Sequence, residues 1–313
     1  MSFLFAFLFF DPFSVLLIVV AGVLTALLFI LRRPKTSASA LAPKLFRPRF
    51  NQRSGTSPSE LHPNPVRHYA WCNCLDAQYD PPEGKLDGNG NPVPKLEWRK
   101  LSFHTKAQDT NSGAWKSLEA YIAKVREDRS DELNPMSGVG PENWEQILTL
   151  PKSIATLKAV KYLSLYGSHL VRIPPEIGEM AALEEFDPYT SYRLHWFPYE
   201  ITRCPRLKKS RISTRALYGN YKYRPPFPRL PQTLPELAPA TCSVCNGLFS
   251  EGKILQAWIS LKVATDVLPL LVHACSDQCL KNLPAPAQGY VQSSHLGGLD
   301  LVQPEAFYKI RHV

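Results

Sequence analysis

Hydrophobic positions fall into four successive patterns along this chain. From Phe13 to Leu31 every residue is apolar or small, with only Ser14, Gly22 and Thr25 mildly polar. Nineteen such residues, at ~1.5 Å rise each, cover roughly the ~30 Å hydrocarbon core of a bilayer. A shorter apolar stretch, Phe3 to Phe10, precedes it and is set off by Asp11-Pro12. Further on, Trp115, Leu118, Ile122 and Val125 recur at helical spacing with Lys, Glu and Arg opposite, which predicts an amphipathic helix over roughly 113–129. Pro141 opens a second short helix carrying Trp144 and Ile147, with proline at its favoured first position. Near the C-terminal end, Ile254–Val263 and Val267–His273 read as strands rich in β-branched and aromatic residues, joined through Ala264-Thr265-Asp266.

Between the helices and these strands the pattern repeats. Pro151, Pro174 and Pro198 stand 23 and 24 residues apart, and Ile154, Ile177 and Ile201 keep the same offsets. Leu157, Met180 and Cys204 follow in phase, then Val160, Leu183 and Leu207. A period of this length with this Leu/Pro pattern resembles leucine-rich repeats of the L-P-x-x-I variety, over about residues 148–218. The match weakens along the chain: Ser168, Ser191 and Arg215 stand at the family's ladder Asn positions, and Pro188 and Ser210 replace core leucines. The resemblance implies a short solenoid of about three turns, capped by the helices in 113–147. In Tyr162-Leu163-Ser164-Leu165-Tyr166 the leucines would point inward and the alternate residues would face the concave side, as strand alternation requires. The same register exposes Glu185, Asp187 and Tyr189, then Lys209, Arg211 and Ser213. Aromatics beside an acidic and then a basic row suit a protein partner. Cys204 falls at a core position and reads as a buried thiol.

Charge changes the picture at two places. Seven Lys/Arg and no acid lie between Arg32 and Arg53, and nine Lys/Arg and no acid lie between Arg203 and Arg229. Arg32, Arg33 and Lys35 follow the apolar run at once, so the positive-inside rule places the C-terminal bulk in the cytoplasm. A cleaved signal peptide is the competing reading of that run, with Ala38-Ser39-Ala40 resembling a cleavage site, but the segment lacks a basic n-region and a short apolar core. Residues 32–66, rich in Pro, Ser and Arg, read as a disordered basic linker beside a membrane surface. In 203–229 the cations interleave with Tyr218, Tyr221, Tyr223 and Phe227, a pattern that single-stranded nucleic-acid binders also use.

The seven cysteines supply the remaining chemistry. Cys242-x-x-Cys245 and Cys275-x-x-x-Cys279 are tight pairs, which read as metal ligands in a reducing compartment more than as a disulfide framework. Knuckle, hairpin and helix with the second ligand pair resemble a treble-clef zinc finger. Four thiolates leave no open coordination position, so the Zn²⁺ would be structural. His273 could compete as a ligand, but it would face away from a thiolate two residues on. Cys72 and Cys74, near His62 and His68, match no firm ligand spacing. Asp87-Gly-Asn-Gly-Asn begins like a calcium loop, yet Pro92 and Trp98 occupy the positions that need Gly and Glu, and a hairpin turn is the better reading.

The expected architecture is therefore α+β and multi-element. It comprises a transmembrane anchor (1–31), a basic linker (32–66), an α/β region with capping helices (67–147) and leucine-rich repeats with a Pro-rich exit (148–231). A zinc-binding module (240–283) and a C-terminal tail (284–313) complete it. The expected function is a membrane-tethered, non-enzymatic adaptor that binds another protein through the repeat surface. The membrane contact would be residues 13–31 and their basic flank. Two rivals stay open: a nucleic-acid-binding protein using 203–229 and the zinc module, and a Cys-dependent enzyme using Cys72 or Cys74. No Gly-rich phosphate loop or nucleophile–His–acid set is evident.

Overall fold

A computed structural model describes residues 75–80, 95–232, 237–249 and 254–305, with the backbone alone in 75–80 and 95–100. Strands β1 (Leu75–Asp80) and β2 (Lys95–Leu101) pair antiparallel, with a register shift between Asp76 and Ala77. Helix α1 (Gly113–Glu127) follows, started by Ser112, whose hydroxyl accepts the Trp115 N–H. A small hydroxyl residue at that position satisfies one of the otherwise orphaned first-turn donors. The apolar stripe Trp115, Leu118, Ile122 and Val125 is buried, as its spacing requires. Two short helices, α2 (Pro135–Val139) and α3 (Pro141–Trp144), lie beyond the two-residue strand β3 (Glu132–Leu133).

The periodic region builds a four-stranded, wholly parallel sheet of β3, β4 (Tyr162–Ser164), β5 (Glu185–Asp187) and β7 (Lys209–Ser210). Tyr162 pairs with Glu185 and Glu185 with Lys209, so the 23- and 24-residue spacings become the register. A 3-10 turn lies on each crossover, at Lys152–Thr156, Pro175–Glu179 and Tyr199–Arg203; the first crossover also carries α2 and α3, and the third also carries Phe197–Pro198. Pro151, Pro174 and Pro198 occupy the position just before each turn, in extended backbone. Proline fits there because its missing N–H would have no partner in the turn. Ile154, Ile177 and Ile201 are fully buried under the turns, and Leu163 and Phe186 are buried under the strands.

A second sheet holds β6 (Phe197–Pro198), β9 (Asp266–Ala274) and β8 (Leu255–Val263), in that order. β8 and β9 form an antiparallel hairpin closed at Ala264-Thr265, with Ala264 at φ 52°. β6 joins β9 in parallel, Phe197 opposite Leu270 and Pro198 opposite Leu271. The hairpin reads as a nearly continuous apolar run because both faces are covered. Ile259, Leu270 and Val272 enter the core shared with α1 and the parallel sheet. Trp258 and Leu271 enter a second core with Phe103, Trp196, Tyr218 and Phe227. Helix α4 (Asp277–Lys281) closes the ordered elements.

Two expectations are corrected here. The fold is mixed α/β with parallel and mixed sheets and few helices, in place of an α+β chain of membrane helix, repeat solenoid and separate zinc hairpin. The physical reason lies between β5 and β7, where the chain leaves the periodic register to place β6 in the other sheet. The hairpin is thereby built into the same core as the periodic region. Secondly, among the described residues no helix is long and apolar enough to cross a membrane, and the single-pass placement with a cytoplasmic bulk is withdrawn. The 15-residue α1 fails because Lys116, Glu119, Lys124 and Arg126 line its polar face. Residues 13–31, the basic linker 32–66, Cys72, Cys74 and the turn at Asp87 lie outside the described residues.

Candidate metal centre and exposed sheet face

The first cysteine pair sits on a knuckle just before the hairpin. Cys242 N–H donates to the Gly247 carbonyl and Asn246 N–H to the Cys242 carbonyl, which folds the chain back on itself. The left-handed residue of this turn is Asn246, at φ 60°, and not Gly247. Gly247 serves differently: its N–H donates to Cys245 Sγ at 3.4 Å, and a Cβ there would lie 3.3 Å from that sulfur. Cys242 Sγ accepts N–H bonds from Val244 and Cys275, both at 3.4 Å.

The second pair is positioned by the end of β9 and the start of α4. Ser276 caps the helix by accepting the Cys279 N–H at 3.3 Å, and this turn brings Cys279 back toward Cys275. The antiparallel hairpin returns the chain to its origin, and the two pairs converge. All four Sγ atoms lie within 4.8 Å of one another, with Cys245–Cys275 and Cys275–Cys279 each at 3.6 Å. A tetrahedral ion with ~2.3 Å metal–sulfur bonds needs sulfurs about 3.8 Å apart, so the donor set fits such an ion. Among the described residues this is the one His/Cys/Asp/Glu group of three or more with converging ligand atoms. His273 stands apart from it, with Nε2 accepting from Gln256 Nε2 at 2.9 Å.

Sequence reasoning missed the residues that fasten this centre to the rest of the protein. Arg203, at the end of the third 3-10 turn, donates through Nη2 to the carbonyls of Cys242 and Ser243 at 2.9 and 2.8 Å. Ser243 N–H donates to the His273 carbonyl, and His273 N–H donates to Ser243 Oγ. Glu200, from the same 3-10 turn, is buried; burial raises its carboxyl pKa, with Ser243 and Arg203 pulling it partly back. Nothing in the sequence marks Arg203, which sits within a run of cations. A weak signal exists for Ser210, the polar residue at a leucine position. It is buried and donates to Asp266 Oδ2, and its N–H donates to Thr265 Oγ1, joining the end of β7 to the hairpin turn.

The residues expected to face a partner share one face of the parallel sheet. Tyr162 and Tyr189 are 41% and 42% exposed, Lys209 and Arg211 are exposed, and Ser164, Tyr166, Glu185 and Asp187 are half-buried. Their charges are paired across neighbouring strands. Lys209 meets Glu185 at 2.8 Å, and Arg211 meets Asp187 at 2.6 Å while lying over the rings of Tyr166 and Tyr189. At the ladder positions Ser168 Oγ donates to Ser191 Oγ at 2.7 Å, and Ser191 Oγ donates to the Leu165 carbonyl.

Several cations of the run 203–229 have partners within the protein, Arg203 and Arg224 through backbone carbonyls and others through surface ion pairs. Arg203 holds the knuckle, Lys208 pairs with Glu184 and Arg229 with Asp300. Arg224 is buried and donates to the Gly219 and Gly289 carbonyls. Cys204 is also spent on packing: it donates to the Ile177 carbonyl, and burial pushes its thiol up to about 12. No protein-family model matches this chain, and no curated protein matches it.

Proposed function

We propose that this protein is a non-enzymatic binding protein. It presents the exposed face of its parallel sheet to another protein, and a structural Zn²⁺ on Cys242, Cys245, Cys275 and Cys279 staples the knuckle to the hairpin. The observation that carries the reading is the division of β4, β5 and β7 into two faces. Leu163, Leu165 and Phe186 are buried, while Tyr162, Tyr166, Glu185, Asp187, Tyr189, Lys209 and Arg211 turn outward together. The resemblance of 148–218 to leucine-rich repeats supports the same side of the sheet.

The sheet's edges support a face rather than strand addition. At one edge Ser130 Oγ donates to the Glu132 carbonyl and accepts the Glu132 N–H. At the other, Ser210 is occupied by the hairpin turn. Edges closed in this way resist pairing with an incoming strand. Paired charges on the face itself favour a partner read by shape and aromatic contact over a polyanion. The acidic partners of Lys208, Lys209, Arg211 and Arg229 weigh against nucleic acid for the same reason. Four thiolates leave no coordination position for a substrate, which supports a structural metal.

The test is site-specific crosslinking in the native cell, with a photoreactive residue at position 162. The wild-type face should yield a discrete crosslinked protein. Replacing Tyr162, Tyr166 and Tyr189 together by Ala should abolish capture, read with the photoreactive residue moved to 164. Melting should fall modestly: exposed Tyr162 and Tyr189 should cost about 0.5 kcal/mol or less each, and half-buried Tyr166 about 1 kcal/mol, short of unfolding. Unaltered capture by a folded triple variant would refute the face.

A further inference from the structure

The four sulfurs of the centre are not equivalent. Cys242 and Cys279 are buried, Cys275 is half-buried and Cys245 is exposed. Cys242 Sγ accepts two backbone N–H groups and Cys245 Sγ accepts one. Among the described residues neither Cys275 Sγ nor Cys279 Sγ receives a backbone N–H, and Cys275 Sγ meets the Ser276 hydroxyl only at a long 4.0 Å. Hydrogen bonds to a metal-bound thiolate withdraw charge from it, and the outer partners of a site tune its ligands in this way. Cys275 and Cys279 are therefore the more electron-rich sulfurs; Cys279 is buried, and the accessible pair is Cys245 and Cys275. They are neighbours at 3.6 Å. A disulfide needs ~2.05 Å, a closure of about 1.5 Å that side-chain rotation on a surface turn can supply.

Resting on the zinc reading above, we propose that Cys245 and Cys275 form a peroxide-operated release of the metal. One accessible thiolate attacks a peroxide oxygen; the O–O bond breaks, a sulfenic acid forms, and the departing hydroxide takes a proton to become water. The second thiolate attacks the sulfenic sulfur; the S–S bond forms, the S–O bond breaks, and the second hydroxide leaves as water after taking a proton. Two thiolates together give up two electrons, and hydrogen peroxide with two protons becomes two waters. Zn²⁺ is neither oxidised nor reduced. Left with Cys242 and Cys279, it has half its ligands and passes into solution.

Cys275 and Cys279 are equally close at 3.6 Å, but Cys279 is buried and its N–H is held by the Ser276 cap. Oxidation thus begins at the surface and ends in the Cys245–Cys275 bond. The knuckle stays docked during release, because Arg203 and the Ser243–His273 pair hold its backbone without using a sulfur. That makes the step reversible.

The experiment treats the full chain, purified under reductant and then freed of it, with hydrogen peroxide. Zinc release is followed with a colorimetric chelator, and disulfides are located by mass spectrometry of non-reduced peptides. The expected result is a fall from about one zinc per chain to none. It should be accompanied by a Cys245–Cys275 linkage, and reversed by dithiothreitol with added zinc. Cys204→Ser should behave as wild type. Zinc retained while other thiols oxidise, or a dominant Cys275–Cys279 linkage, overturns the release mechanism and leaves the zinc site standing. Protein that carries no zinc before peroxide is added overturns the zinc reading, and this mechanism with it.

Discussion

His195 is enclosed on three sides. Its ring stacks 6.0 Å from His104 and 5.3 Å from Tyr218, and Nδ1 donates to the Ala216 carbonyl. Burial, with the charge of His104 as a smaller contribution and the Ala216 bond opposing, lowers its pKa from 6.5 to about 4. The unfolded chain therefore takes up a proton at higher pH than the folded one. This stabilisation is complete above pH 6.5 and is lost as pH falls toward 4, up to roughly 3 kcal/mol. His195→Gln can still donate to Ala216 but does not titrate there. Thermal melts of the two proteins should keep a constant difference above pH 6.5, and the wild type should lose ground steadily below it. Any metal held by the four cysteines would leave both proteins in acid, and that effect cancels in the comparison. Parallel curves down to pH 4 would mean that His195 is solvated. At this scale much was legible in the sequence. The alternation of Tyr162, Leu163, Ser164 and Leu165 sorted inward from outward residues, and Cys204 was placed in the core. Arg203 was not legible, since a cation that donates to a distant carbonyl leaves no local pattern.

Among the elements, the third 3-10 turn, Tyr199–Arg203, joins the two sheets. Pro198 ends β6 and stands just before the turn, Ile201 packs beneath it, and Arg203 reaches the knuckle 39 and 40 residues on. Hydrogen bonds from a charged donor are worth about 1.5–3 kcal/mol net when their acceptors are poorly solvated. Arg203→Ala should therefore lower stability by about 1–3 kcal/mol in a denaturant titration and speed zinc transfer to a chelator. If the transfer rate is unchanged, the clamp and the metal centre are independent. Elements with a period or a marked composition were legible, α1 by its stripe and β8 and β9 by their residues, whereas the 3-10 turns showed only as recurring prolines with no conformation attached. β6 was not, because two residues, Phe197-Pro198, carry no period. It forms only because β9 offers an edge, and that edge exists only in the folded chain.

For the whole molecule, the missing information was topological. The 23- and 24-residue spacings reappear as the register of the parallel sheet, but nothing in them marks the departure of the chain at β6. The four cysteines were legible as a set because tight pairs flank a hairpin, whose antiparallel return is a local property. Their placement in a core shared with α1 and the parallel sheet was not. This bears on what metal loss does. With Ile259, Leu270 and Val272 anchored in that core, loss of one thiolate should loosen the knuckle and α4 while leaving β8 and β9 paired.

The proposed zinc staple is tested most directly by elemental analysis joined to X-ray absorption at the zinc edge, on the full chain purified under reductant. About one zinc per chain is expected, with four sulfurs at about 2.3 Å and no nitrogen or oxygen ligand. Cys204→Ser should match wild type, and Cys275→Ser should hold almost no metal. A wild-type protein that is stably folded without zinc, or that binds it through mixed ligands, would contradict the account.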